Sequence, residues 1–151
     1  MCSQLSLNPV ERSRWIYFPN SRKSVSDHPK DQLARAGEEE AEFFLRSKGY
    51  SILHKNLRFP GGELDLITRT GRTLVIVEVK TRRSREYGEP SEAVTLQKRQ
   101  RQVSMTNRYL FRCRLRGCLV RFDIVSIVWS ADAPPQIEHI ENAFQVNDLY
   151  R

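Results

Sequence analysis

The sequence predicts an α/β domain in which one helix precedes three strands and a second helix precedes a further strand. Apolar residues recur at helical spacing between about residues 31 and 48 and again between 91 and 112. Between those stretches, Leu74, Val75, Ile76, Val77 and Val79 are apolar on both faces, the mark of an interior strand. Breaks at Gly49, Pro60-Gly61-Gly62 and Thr70-Gly71 divide the intervening chain into strand-length pieces.

At 151 residues the chain is long enough for one core and short for two. Residues 1–30 read as an N-terminal extension and 31–151 as a single domain. Met1 to Ser26 mixes Ser, Asn, Pro and Arg without sustained periodicity, and the apolar cluster Trp15-Ile16-Tyr17-Phe18 stops at Pro19-Asn20. The extension is expected to be mobile, with that cluster available to dock on the domain or on a partner.

The first helix is expected over Asp31–Lys48, with Leu33, Ala36, Gly37, Ala41, Phe44 and Leu45 on its apolar side, Asp27 or Asp31 as cap and Gly49 as terminator. Glu38 falls on the flank of that stripe, three and seven residues before Ala41 and Leu45. Glu40 falls near its middle, which requires a buried polar partner or a rotated helix. A strand follows over Tyr50–Leu57, then strands Glu63–Arg69 and Thr73–Lys80 around Thr70-Gly71. After a loop over residues 81–90 comes a helix over Ser91–Arg112, with Ala93, Val94, Val103, Met105, Tyr109 and Leu110 apolar and Lys98, Arg99 and Arg101 on the polar face. A strand over Leu119–Trp129 completes the sheet, and Ile137–Leu149 forms a short strand or loop packing through Ile140 and Phe144.

Chemistry concentrates in the two middle strands. The even-numbered face of Thr73–Lys80 reads Leu74, Ile76, Glu78, Lys80, so an apolar row ends in an acid and an amine. That is costly unless the two pair or bind an ion. A two-residue turn at Thr70-Gly71 sets Asp65 against Ile76 and Glu63 against Glu78, which puts Glu63, Asp65, Glu78 and Lys80 on one face. Three crowded carboxylates call for a cation. Their oxygens are hard ligands suited to Mg²⁺ or Mn²⁺, and a neighbouring lysine can hold and help deprotonate a water or neutralise charge on a phosphate. Metal-assisted phosphodiester cleavage uses this set.

The charge distribution supports a polyanionic partner. Net charge is +7, yet residues 81–121 alone hold eleven Lys+Arg against three acids, while residues 37–80 are balanced at seven each. Arg82, Arg83, Arg85, Lys98, Arg99 and Arg101 are the candidate phosphate contacts, giving sequence-independent and salt-sensitive affinity. No apolar run approaches the roughly 18 residues of a membrane span, and no secretory signal is visible, so a cytoplasmic protein is expected. Cys2, Cys113 and Cys118 fit neither a disulfide framework nor a zinc site. His28, His54 and His139 have no ligand spacing.

Taken together, Gly37-Glu38 with Ala41 and Leu45, Gly49-Tyr50, Asn56-Leu57-Arg58, Gly62-Glu63-Leu64-Asp65-Leu66-Ile67, Val77-Glu78-Val79-Lys80-Thr81-Arg82, Arg121-Phe122-Asp123 and Asn142-Ala143-Phe144 resemble the YraN-type family of predicted bacterial endonucleases. That family is similar to the archaeal Holliday-junction resolvases and the wider restriction-endonuclease-like superfamily. The resemblance implies an αβββαβ core with a mixed central sheet flanked by helices. It implies Asp65 and Glu78 as metal ligands, Lys80 as the catalytic amine and Glu38 as an accessory acid, with the Val79 carbonyl as a further ligand and Glu63 binding through water. Glu40 stands where the family usually has an apolar residue.

The expectation is therefore a Mg²⁺- or Mn²⁺-dependent nuclease acting on DNA, including branched DNA such as Holliday junctions. Symmetric cleavage of a four-way junction needs two sites and so would predict a homodimer. The competing expectation is a non-catalytic nucleic-acid-binding module on the same fold, which would have no use for Asp65, Glu78 and Lys80. A peripheral membrane or interaction adaptor has only the basic segment and the N-terminal aromatics in its favour.

Overall fold

Helix α1 (Pro29–Ser47) begins at a proline, whose missing N–H is no loss at a helix start. Pro29 also forces the preceding residue into extended geometry, so the cap falls on His28 rather than on Asp27 or Asp31. His28 has φ −65° and ψ 133°, and its Nδ1 accepts from the Lys30 N–H at 3.3 Å. At the other end Gly49 adopts φ 87°, and the N–H groups of Gly49 and Tyr50 donate back to the carbonyls of Arg46 and Leu45, both at 3.0 Å. This double closure needs a residue free to take the left-handed conformation, which glycine supplies.

The structure is a computed structural model and describes residues 28–83 and 95–146. The expected N-terminal extension lies almost wholly outside the described residues, as do Arg85 and the first residues of the predicted second helix. Strands β1 (Ser51–Phe59), β2 (Gly62–Thr70) and β3 (Thr73–Arg82) form an antiparallel meander. Helix α2 (Leu96–Arg112), capped by the Thr95 hydroxyl, then leads to β4 (Leu119–Val128), which pairs parallel to β3. The tail forms a full strand, β5 (Gln136–Phe144), antiparallel to β4. The result is a five-stranded mixed sheet in sequential order flanked by two helices, consistent with a restriction-endonuclease-like core.

Two apolar layers hold the helices to the sheet. On one face Ala41 and Leu45 of α1 pack with Leu66, Val75, Val77, Val125 and Ile127; on the other, Val103, Met105 and Tyr109 of α2 pack with Leu64, Ile67, Leu74, Ile76 and Phe122. The buried stripe of α1 is Gly37, Ala41 and Leu45, so the helix is rotated from its expected setting and Glu40 lies partly buried on the flank. Gly37 sets how closely α1 approaches: a Cβ there would stand 1.8 Å from the Thr81 Oγ1.

The hairpin register differs from the expected one by two residues. Thr70 pairs with Thr73, so the turn is Gly71-Arg72, with Gly71 taking φ 55° at its first position. A two-residue slip keeps every side chain on its face but changes its neighbours. Leu66 pairs with Val77, and one step further Asp65 comes level with Glu78, not Ile76.

That step is also where the strand pair rotates. Leu64 and Leu66 belong to opposite apolar layers although a regular strand would put them on one face. Across from them, Leu57 packs under α2 while Lys55 reaches Glu42 of α1 at 2.7 Å. Between each pair lies one residue, Asn56 at φ 51° and Asp65, so the kink in the sheet sits at the acid.

Candidate active site

Glu78 is the centre of the site. It is buried on the α2 side of β3, and each carboxylate oxygen is engaged. Its Oε1 accepts from Lys80 Nζ at 2.9 Å and from Lys98 Nζ of α2; its Oε2 accepts from Gln102 Nε2 at 2.7 Å. A buried carboxylate stays charged only with such partners. Burial lowers the Lys80 ammonium's pKa and the nearby Lys98 charge adds to that, with Glu78 opposing both. Lys98, though also partly desolvated, is held above its ordinary range by Glu78.

Asp65 is partnered differently. Its Oδ2 accepts from the Val79 N–H at 2.9 Å, where a continuing ladder would have placed a strand carbonyl. Among the described residues no lysine or arginine lies within ion-pair distance of it. Burial, then the charge of Glu78, push its pKa up to about 7; the Val79 N–H and Lys98 oppose this and Glu38 adds to it. Glu38 is held by Asn56 Nδ2 at 2.7 Å, so the residue with the left-handed backbone also orients the helix-borne acid. Glu38, Val79 and Lys80 line a recess of about 360 Å³ with Leu33, Ala34 and Thr81, leaving Lys80 reachable from outside.

The structure therefore brings together Asp65, Glu78, Lys80 and, more loosely, Glu38. Glu63 is drawn elsewhere, into a 2.9 Å ion pair with Arg58. Because the strand rotates at Asp65, the predicted single face carrying Glu63 with Asp65, Glu78 and Lys80 does not form. Lys98, expected on a phosphate-binding face, instead points at Glu78. Arg99 lies with its guanidinium 5.5 Å from the Phe144 ring centre. Arg82 is partly buried, and its carbonyl accepts from the Trp129 N–H; Arg83 and Arg101 are exposed.

Gln102 was not anticipated from the sequence. The signal was present: Lys98, Gln102, Met105 and Tyr109 fall at i, i+4, i+7 and i+11, one stripe of a helix. Reading only the apolar members of that stripe hides the two polar residues that continue it.

A second buried acid, Asp123 of β4, has a different character. Arg121 grips it at 2.8 and 2.7 Å, His139 Nε2 lies 2.8 Å away, and the Asn142 N–H donates at 3.0 Å. Burial, which acts to raise the Asp123 pKa, is outweighed by these bonds, so the carboxyl lies below its ordinary range. The contact with Asn142, whose φ is 53°, fixes the irregularity by which β5 follows β4. Saturated with donors, Asp123 is an anchor for the sheet edge.

The donor set near Asp65 suits a hard divalent cation. Among the described residues no three His, Cys, Asp or Glu side chains converge as a closed ion cage. Two carboxylates forced together, one of them without a described cationic partner, instead match the preference of Mg²⁺ and Mn²⁺ for a few protein oxygens and retained waters. Asp65 and Glu78 would be the side-chain ligands, with the Val79 carbonyl the backbone ligand implied by the resemblance.

Comparison with known proteins bears out the resemblance. A family model described as "Uncharacterised protein family UPF0102", the YraN family, matches residues 37–127. A UPF0102 protein of Geobacter metallireducens is 46% identical over 123 residues, covering 81% of this chain and 98% of its own. One from Caldicellulosiruptor saccharolyticus is 41% identical over 116 residues, 76% of this chain and 98% of its own. Another, from Pelobacter propionicus, is 48% identical over 113 residues, 73% and 80% respectively.

Proposed function

The chain belongs to the UPF0102 family, and from that footing and its site we propose that it is a metal-dependent endonuclease hydrolysing phosphodiester bonds of DNA. The observation that carries this reading is the meeting of Asp65 and Glu78, from adjacent strands, with Lys80 2.9 Å from Glu78. A purely structural sheet gains nothing from setting a half-buried Asp65 beside the buried Glu78, whose charge makes Asp65 harder to ionise.

Bound Mg²⁺ or Mn²⁺ would supply Lewis-acid polarisation of the scissile phosphate. The chain's own groups do the rest. Asp65 and Glu78 would hold the ion, and the Val79 N–H fixes the Asp65 carboxylate. Lys80, an ammonium 2.9 Å from Glu78 Oε1, holds the attacking water or serves as counter-charge to the phosphate. Glu38, held by Asn56, helps orient that water. Arg83 and Arg101, exposed on the basic segment, contact phosphates away from the cut, with Arg82, Arg85 and Arg99 as further contacts.

Branched DNA such as a four-way junction is the proposed substrate, and symmetric cleavage there would require a homodimer. The protein would act in the cytoplasm; no helix among the described residues is long and apolar enough to cross a membrane. The test is incubation of the purified protein with labelled linear, flap and four-way-junction DNA in Mg²⁺ or Mn²⁺, alongside Lys80→Ala. Cleavage by the unaltered protein alone supports the reading. Equal binding by both with no cleavage of any substrate overturns it in favour of a DNA-binding module.

A further inference from the structure

Glu78 has one more cation than its own charge requires. Lys80 Nζ sits at 2.9 Å from Oε1 and Gln102 Nε2 at 2.7 Å from Oε2, which already gives each oxygen a donor. Lys98 Nζ adds a second ammonium to Oε1. Two like charges on one oxygen repel, so Lys98 is held there by the combined negative charge of Glu78 and Asp65. Its reach differs too. The Lys98 side chain is 42% exposed, against 20% for Lys80 and 5% for Glu78, so it enters from the mouth of the site and can leave without disturbing the core. It stands in the first turn of α2, directly preceding Gln102 in the sheet-facing stripe, and is therefore aimed inward by the helix rather than spread on the surface.

We infer that Lys98 is a positioning residue of this site: its ammonium occupies Glu78 in place of a divalent cation and yields that carboxylate oxygen when the ion binds. The inference rests on the metal-dependent reading above. Lys98 then opposes ion binding, because its contact must be broken or its charge tolerated beside the ion. Removing it leaves Glu78 held by Lys80 and Gln102 and open to the ion. A lysine serving only DNA would not alter ion affinity in the absence of DNA, and a purely structural ion pair would alter stability alone.

The test is calorimetric titration of Mn²⁺ into the full chain without DNA, comparing the unaltered protein with Lys98→Met, Lys98→Gln and Asp65→Ala, each checked for folding by circular dichroism. Lys98→Met and Lys98→Gln are expected to bind Mn²⁺ on the order of tenfold more tightly, the scale of one screened charge a few ångströms away, while Asp65→Ala loses binding. Equal or weaker binding by the folded Lys98 variants, with the unaltered protein binding normally, overturns the inference and leaves the nuclease reading standing. Absence of Mn²⁺ binding in every protein overturns both.

Discussion

Replacing Asp65 with asparagine should stabilise the metal-free protein at alkaline pH. The carboxyl has an ordinary pKa of 3.8 and is raised to about 7 in the fold, first by burial and then by Glu78. The folded state therefore binds this proton more tightly than the unfolded chain, and stability falls as pH climbs between those two values. At about 1.4 kcal/mol per pH unit, a rise from 3.8 to about 7 corresponds to a ceiling of about 4 kcal/mol at pH 8. The asparagine amide would keep an oxygen for the Val79 N–H, so the substitution removes the charge and little else. Urea denaturation in EDTA should show Asp65→Asn more stable than the unaltered protein at pH 8 by up to that amount, and nearly equal to it at pH 4. Saturating Mn²⁺ should stabilise the unaltered protein and leave Asp65→Asn unmoved. A variant that is less stable at pH 8, or whose difference does not change between pH 4 and pH 8, would mean that the Asp65 carboxylate is not destabilised in the fold.

Three further outcomes are expected. Gly37→Ala places a methyl 1.8 Å from the Thr81 Oγ1, and overpacking there should cost about 1–3 kcal/mol in urea denaturation while lifting Glu38 from the site. Asp123→Ala takes away the acceptor shared by Arg121, the buried His139 and the Asn142 N–H, leaving Arg121 only Tyr50 and Glu141 among the described residues, and should cost about 3–5 kcal/mol; because the Asp123 pKa lies below its ordinary value, its stabilisation is complete above about pH 4 and lost below it, so Asp123→Asn should flatten the acid limb of the unfolding curve. Arg83→Ala and Arg101→Ala should weaken DNA binding with little regard to sequence, each reducing the log–log salt slope by roughly 1.

The site was legible where it depends on local pattern and lost where it depends on pairing. A charged end to the apolar row Leu74-Ile76 announced Glu78 and Lys80 without any tertiary information. The turn was harder, because Thr70-Gly71 and Gly71-Arg72 both place a glycine in a two-residue loop and only the ladder distinguishes them. By parity a two-residue difference in register leaves Asp65 beside Glu78 whichever turn is used. Glu63 was misplaced for a deeper reason: the strand rotates at Asp65, opposite the left-handed Asn56, and period-two counting assumes a strand that does not rotate. Lys98 and Gln102 were hidden by the assumption that polar residues on an amphipathic helix face water, when a buried acid on the sheet can draw them inward. Asp123 carries the same lesson from β4, with two of its partners, His139 and Asn142, arriving 16 and 19 positions later in the chain.

The central claim is that Asp65 and Glu78 form a working metal-dependent cleavage centre. Its most direct measurement is the rate of cleavage of a labelled four-way junction, with protein in excess over DNA and Mn²⁺ present, by the unaltered protein and by Asp65→Asn. The variant is expected to be folded and to bind the junction at least as well, so the comparison reads chemistry rather than stability. Strand scission by the unaltered protein, falling by at least a hundredfold in Asp65→Asn, is the predicted result. Equal rates in the two proteins, or no scission by either at full junction binding, would contradict the claim.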